Sequence, residues 1–463
     1  MKYLQKFATA ADYTAYVATD YPKPNVSYVL ADSVVHYNPD VPPPPPSFFV
    51  KLTTQDYSGY TLVGEPTEVE LQGSGELTQC MILPYLSYDH DPGTGDVFGT
   101  CISSIVCGEL CTSIGDLYNS WEGSCIKSEE DTYKIQNTCG LLQTLVISNS
   151  VSSISGSAFD GCDGIRTLYI GSGITNINQV FAMGNLRGLS DVEVDAANTV
   201  YDSRNNCHAI IETATNTLIK GSNATFIPNG ITSIGEYAFP HCTALTSMTI
   251  PDSVTSIGQY AFVECYGMTT CTIGSGVTSI ADNAFQNCSG LTNVTIPSGV
   301  TSIGQYAFGN CSSLSSITIP DSVTSIGDSA FSDCSAMTIC NIGSGVTSVG
   351  TYAFYDCSSL SSITIPDNVT SIGNNAFSDC SAMTICNIGS GVTRINDGAF
   401  YRCSSLSAIT SLATTAPTIS STTFRDIKTG GTLYVPKGSS GYNVWMRTYN
   451  FYLGKYGWTK VEQ

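Results

Sequence analysis

Between residues 231 and 411 the apolar positions of the chain recur every 23 residues. One unit, residues 300–322, reads VTSIGQYAFGNCSSLSSITIPDS, with Val300, Ile303, Ala307, Phe308, Cys311, Leu314, Ile317 and Ile319 as its apolar set. Ile317 and Ile319 lie two apart, the spacing of a strand with one face inward, while Ala307, Phe308 and Cys311 show the i, i+3, i+4 spacing of a helical turn. The pattern predicts one short strand and one helical turn per coil. Pro320 closes the strand because it lacks an N–H and has a fixed φ; Gly274, Gly343 and Gly389 take this corner in other coils. Phe239, Phe262, Phe285, Phe308, Phe331, Phe354, Phe377 and Phe400 follow one another at the same interval without a gap. A coil this short cannot bury its own apolar side, so the fixed period predicts a solenoid in which each coil is sealed by its neighbours.

The unit VTSIGxxAFxxCxxLxxITIP resembles the BspA-like leucine-rich repeat family of bacterial surface proteins over about residues 139–436. The resemblance implies a leucine-rich-repeat solenoid, curved and right-handed, used for adhesion to host proteins, surfaces or other cells. It brings no catalytic residue to this chain.

The flanks break the period and divide the chain. Residues 1–39 read as a short helix at about 10–19 followed by two strand-like runs, 25–30 and 33–37, turning at Asp32. KYLQKFATAADYTAYVATDYPKPNVSYVLADSVVHYNP resembles a leader of structural proteins of gut-bacterium phages and related prophage products. That resemblance implies a docking module that fixes a distal domain to a particle; a plain N-terminal pair of cap strands is the alternative. Five prolines, Pro42 to Pro46, make residues 40–47 a polyproline spacer. Residues 48–106 alternate in short runs between Gly and Pro turns and predict a small β module, and 107–138 an N-terminal cap. The solenoid follows over 139–436, with a protruding hairpin of strands 209–212 and 217–220 in an insertion at about 195–226. Residues 437–463 form a C-terminal cap, with a helix at 442–452 and Trp445 over the last apolar face.

Charge then narrows the partners. The net charge is −20, and it is uneven: residues 1–150 hold 6 basic and 18 acidic residues, whereas 411–463 hold 6 basic and 2 acidic. A nucleic-acid partner is not expected without a basic surface. No run approaches the ~18 apolar residues of a membrane span, and the first twenty residues lack the apolar core of a signal peptide. Of the 19 cysteines, one per coil occupies the Cys311 position and Cys271, Cys340 and Cys386 replace a strand isoleucine. These predict buried, reduced thiols packed as small hydrophobes rather than disulfides or metal ligands.

No nucleophile elbow, HExxH, phosphate-binding loop or GxGxxG is present, so the chain is expected to be non-enzymatic and free of cofactors. Asp89, Asp91 and Asp96 among glycines suit either a weak Ca²⁺ loop or an acidic turn. The outward strand positions, such as Ser316 and Thr318, are small and polar, which suits an ordered surface or simply a solvated face. Tyr237, Tyr260, Tyr306 and Tyr352 precede the Ala-Phe pair in four coils, where Asn283, Ser329, Asn375 and Gly398 stand in the others. That variation predicts exposed rings. With the nearby acids Glu264, Asp333, Asp356 and Asp379 they form either a candidate site for sugars or a protein partner, or a set of isolated surface side chains. The expected function is recognition: most simply a phage virion fibre or capsid-decorating protein, anchored through its N-terminal module and presenting the solenoid to a host-surface protein or glycan. A bacterial cell-surface or secreted adhesin is the alternative.

Overall fold

The computed structural model describes residues 186–463 continuously, residues 164–177 and parts of 144–154 before them, and ahead of residue 144 only the backbone of short strands. Its contacts fall into two units, Met1–Ala214 and Thr215–Gln463. The expected helix at 10–19 and the polyproline spacer lie outside the described residues, as do the side chains of Asp89, Asp91 and Asp96.

In the first unit, Tyr28–Leu30 pairs antiparallel with Ser33–Val35, where the two strand-like runs were expected. The strands Phe49–Lys51, Glu68–Leu71, Ser104–Cys107, Thr144–Ile147, Thr167–Ile170 and Asp191–Val194 form one sheet with every pairing parallel. A second parallel ladder joins Gly75–Leu77, Cys111–Ile114 and Ser153–Ile154. Strands of the module expected at 48–106 therefore pair with the first regular coils instead of forming a separate sheet. Their coils lack the fixed period, so the self-similarity that exposes the later ones is missing.

The second unit is built of coils that each contribute two strands. Short Ser-Ile strands such as Ser302–Ile303 and Ser325–Ile326 pair parallel along one wall. Longer ones such as Ser316–Ile319 and Ile339–Ile342 pair parallel along the other. The expected strands of the insertion form as Ile210–Glu212, at the end of the first unit, and Thr217–Lys220, at the start of the second. They do not protrude. Ile210, Ile211, Leu218 and Lys220 are fully buried, and Thr217–Lys220 pairs parallel with Ser233–Ile234 ahead of the regular coils.

The helical turn is not formed. Among the described residues, helix is confined to two short 3₁₀ stretches, Arg204–Asn206 and Leu453–Tyr456. In the 300–322 coil the N–H groups of Tyr306, Phe308 and Asn310 donate to Asp328, Ala330 and Ser332 of the next coil at 2.9, 2.8 and 2.8 Å. A backbone that sends its N–H groups sideways cannot close the i→i−4 ladder, so the inward Ala-Phe-Cys spacing belongs to a turn held by its neighbour. Residues 442–452 are likewise turns, followed by the strand Thr459–Glu462, which pairs parallel with Thr432–Val435. The corner glycines have a second reason as well. A Cβ on Gly274 would lie 2.4 Å from the Pro251 carbonyl group of the preceding coil, so close approach of the two corners excludes a side chain there.

Nine phenylalanine rings, from Phe239 to Phe424, stack with centroids 4.8–5.7 Å apart and planes within 11° of parallel. Trp445, fully buried, ends the stack 5.3 Å from Phe424, and its Nε1–H donates to the Pro417 carbonyl. The cysteines from Cys207 onward are free and buried. Seven thiols of the regular row, from Cys265 to Cys403, each donate to a phenylalanine carbonyl one coil back, as Cys334 Sγ does to Phe308 O at 3.3 Å. That carbonyl also accepts the Cys311 N–H at 3.2 Å, so both of its lone pairs are used. Cysteine thus supplies what valine cannot: small size, apolar packing and one weak donor.

Phe308→Ala opens a cavity between two coils and should cost about 3–5 kcal/mol. Hydrogen exchange should show the loss concentrated in the adjoining coils, since a solenoid shares its stability between neighbours; uniform loosening along the chain would contradict this. Burial also pushes the Cys242 and Cys311 thiols up to about 12. A thiol raised in the fold contributes stability that is complete below its ordinary value of 9.0 and is lost as pH rises beyond it. Unfolding free energy should therefore fall above that pH by about 1.4 kcal/mol per pH unit for each thiol that ionises only on unfolding, lowering the thermal midpoint, and Cys311 should resist thiol reagents until the protein unfolds.

Candidate functional site

Every regular coil places two residues in the left-handed region on its turn face. The first row comprises Tyr237, Tyr260, Asn283, Tyr306, Ser329, Tyr352, Asn375 and Gly398, with φ between 50° and 61°. The second runs His241, Glu264, Asn287, Asn310, Asp333, Asp356, Asp379, Arg402 and Asp426, with φ between 49° and 61°. Gly, Asn and Asp enter this region readily, whereas for other residues it costs on the order of 1 kcal/mol. The sequence-predicted tyrosines and acids therefore all stand at positions set by the backbone, and the variation among coils reflects which residues tolerate that conformation. Tyr and Glu are poor choices on backbone grounds alone, which directs attention to their side chains.

The four tyrosines are not contiguous along the first row. Tyr237 and Tyr260 stack at 4.6 Å, Tyr352 meets Tyr355 edge-on at 5.5 Å, and Tyr306 stands between Asn283 and Ser329. Tyr352 is exposed, while Tyr237, Tyr260 and Tyr306 are half-buried, less open than the sequence predicts. Their rings lie along the turn and cover it; a Cβ on Gly309 would touch the Tyr306 ring at 3.0 Å.

The acids meet more closely. Asp333, Asp356 and Asp379 occupy one position in three successive coils. Burial, and then the Asp356 carboxylate, push the Asp333 pKa up; burial and then Asp379 do the same to Asp356. Asp379 accepts a hydrogen bond from Ser378 at 2.8 Å and lies 3.6 Å from Arg402. At the other end Glu264 accepts from the Tyr266 hydroxyl at 2.7 Å and sits 2.7 Å from His241 Nδ1.

Between these ends runs an open groove of about 510 Å³, lined by Tyr266, Asn287, Ser289, Asn310, Ser312, Asp333, Ser335 and Asp356. It brings together Asp333 and Asp356 of the predicted residues, with Glu264 and Asp379 flanking it; the four predicted tyrosines do not line it. Tyr266, Asn287, Asn310 and the three serines are additions. Their signal is the triplet around each coil's cysteine, Asn/Asp-Cys-Ser in the five coils from Asn287 to Asp379 and Glu-Cys-Tyr at 264–266, whose middle residue points inward. Amides, hydroxyls and carboxylates in a shallow row suit a polar or cationic ligand. On the strand wall, Ile339 and Ile385 are exposed in the row of Ser316 and Ser362, so that face is not uniformly polar. Among the described residues no group of three or more His, Cys, Asp or Glu could hold a metal ion, and no helix is long and apolar enough to cross a membrane.

A two-walled parallel solenoid with an apolar ladder in each coil defines the leucine-rich-repeat class of repeat proteins. Within it, the chain belongs to the family of the BspA type leucine-rich repeat region, whose profile matches residues 96–187, 131–222, 216–338 and 335–440. Similar solved structures include a leucine-rich repeat protein from Bacteroides ovatus, 20% identical over 76% of this chain and 83% of that one, with a TM-score of 0.44. The pneumococcal vaccine antigen PcpA is 14% identical over 90% and 89%, with a TM-score of 0.49. A leucine-rich cell surface protein from Faecalibacterium prausnitzii is 21% identical over 74% and 89%, with a TM-score of 0.33. No curated protein matches the chain.

A carboxyl raised in the fold contributes stability that is complete below its unfolded value of 3.8 and is lost as pH rises through the folded pKa. Asp356→Asn keeps the left-handed backbone and removes one charge of the row, so it should raise the thermal midpoint at neutral pH and leave it unchanged below 3.8. Equal midpoints at both pH values would mean that the row carries no repulsion.

Proposed function

We propose that the chain is a recognition protein whose turn-face groove binds a polar or cationic group on a host surface, either a glycan or a basic protein segment. One observation carries this reading. Asp333 and Asp356 are held one coil apart in a groove of Asn and Ser, where burial raises both carboxyls, helped at Asp333 by the Asp356 carboxylate and at Asp356 by that of Asp379. A ligand that hydrogen-bonds or neutralises them relieves the repulsion along this row, and the rigid coil presents them with little ordering cost. The reading is binding without catalysis, in keeping with a leucine-rich-repeat solenoid.

The carrier we propose is a phage particle, with the solenoid displayed as a fibre or capsid decoration. The support is the likeness of residues 1–39 to leaders of phage structural proteins, together with the polyproline stretch that follows. Display on a bacterial cell surface is the second reading, favoured by the family itself.

Asn310→Gly with Asp333→Asn tests the groove, because both replacements tolerate the left-handed backbone. Attachment of the full chain to host cells should weaken at least about tenfold while the thermal midpoint stays within a few degrees of wild type. Undiminished attachment would move the site elsewhere. For the carrier, deletion of residues 1–39 should leave a folded solenoid that no longer copurifies with particles; mass spectrometry finding the protein in cell envelopes and not in particles would replace the phage reading with the cell-surface one.

A further inference from the structure

The C-terminal coils carry a surface of opposite character to the rest. Residues 411–463 hold 6 basic and 2 acidic residues in a chain of net charge −20. Where Arg402 and Asp426 continue the second left-handed row, cations and rings alternate in space. Lys455 Nζ lies 4.7 Å from the centre of the Phe451 ring, and the Arg425 guanidinium lies 5.0 Å from the same ring. Arg425 is also 5.3 Å from the Tyr401 ring, and Arg402 is 4.9 Å from it. Three cations are thus threaded through two rings. The Arg402 and Arg425 side chains remain 60% and 46% exposed.

Such stacking orients the guanidinium groups, with Arg402 directing only part of its N–H set at Asp379 and the Tyr401 hydroxyl. The neighbouring carboxylates do not use them fully. Asp379 is 3.6 Å from Arg402 and Asp426 is 3.6 Å from Arg425, longer than the about 2.7–2.9 Å of a charge-assisted hydrogen bond. The ladder therefore offers preoriented, unsaturated donors in a row, with acceptor carboxylates beside them.

We propose that this ladder is a second binding site and that its ligand is an acidic polysaccharide whose sugars bear carboxylates. The carboxylates pair with Arg402, Arg425 and Lys455, and the sugar hydroxyls donate to Asp379 and Asp426. A ligand carrying both groups matches cations and acids in alternation. A single-stranded nucleic acid matches less well: each ring already carries two cations, which leaves less aromatic face for bases, and its phosphodiester linkages carry no hydroxyl to donate to Asp379 and Asp426. This site adjoins the groove at Asp379 but shares none of the residues that line it.

The test measures retention of the full-length protein on immobilised polygalacturonate, on neutral dextran and on poly(U). The wild type should bind polygalacturonate, ignore dextran, and release as salt is raised. Arg425→Gln and, separately, Lys455→Gln at an exposed position should each weaken binding by about tenfold or more, with circular dichroism and thermal midpoint unchanged. Asn310→Gly with Asp333→Asn should leave it intact, so failure of the groove reading and failure of this one give different results. Three outcomes would each overturn the proposal: no retention on polygalacturonate, equal retention of wild type and both ladder variants, or preferential retention on poly(U).

Discussion

The structure depends on one geometric requirement: each coil must hand its unpaired backbone groups and its apolar side to an identical neighbour. The phenylalanine stack from Phe239 to Phe424 shows how this is met. At the spacing of the coils, rings in one rotamer fall into near-parallel stacks, and only a residue of the same shape in the next coil can continue them. The carbonyl of each phenylalanine from Phe239 to Phe377 is then closed from two sides, by an N–H of its own turn and by a thiol of the next coil. A buried carbonyl with an unused lone pair is tolerated more easily than an orphan N–H, so the thiol is a refinement, and its repetition from coil to coil makes it cumulative. The stack ends where the period ends, on Trp445, whose tilted ring and Nε1–H supply by a different geometry what the next phenylalanine and cysteine would have supplied.

The same requirement decides which surface can vary. Turning a chain sideways so that its N–H groups reach the neighbouring coil needs left-handed residues at two points per turn. Asn, Asp and Gly satisfy that need and leave the side chain in solvent, where nothing in the core constrains its identity. Two outward-facing positions per coil are therefore free to differ from coil to coil without disturbing the stack. Binding groups gather on this face because the backbone has already made room for them.

Electrostatics follow from repetition. Copying a coil copies its charge, and Asp333, Asp356 and Asp379 stand one coil apart because the same position was filled three times with the same residue. Arg402 ends that run, and past it the surface becomes basic and aromatic. Lys220 is the one fully buried cation among the described side chains; burial pushes its pKa down and its Nζ has no hydrogen bond, which favours the neutral amine. It lies beside Gly221, where a Cβ would collide with the Phe239 ring, so the backbone at Gly221 closes directly on the first ring of the stack.

The period by itself determined that the chain forms a solenoid, which residues face inward, and that the cysteines pack as thiols, because each of these follows from one position repeated under one constraint. It did not determine the conformation of the turn. Ala307, Phe308 and Cys311 have helical spacing, but their backbone partners lie in the next coil, and spacing along one chain segment cannot reveal a bond to another. For the same reason the strands at 49–107, whose coils have unequal lengths, read as a separate module until their parallel pairing with Thr144–Ile147 is seen. The candidate site divides in the same way. Asp333 and Asp356 were legible as outward acids, but the groove that joins them to Asn310 and Tyr266, and the ladder that threads Arg425 between Tyr401 and Phe451, arise only when side chains from different coils come together in space.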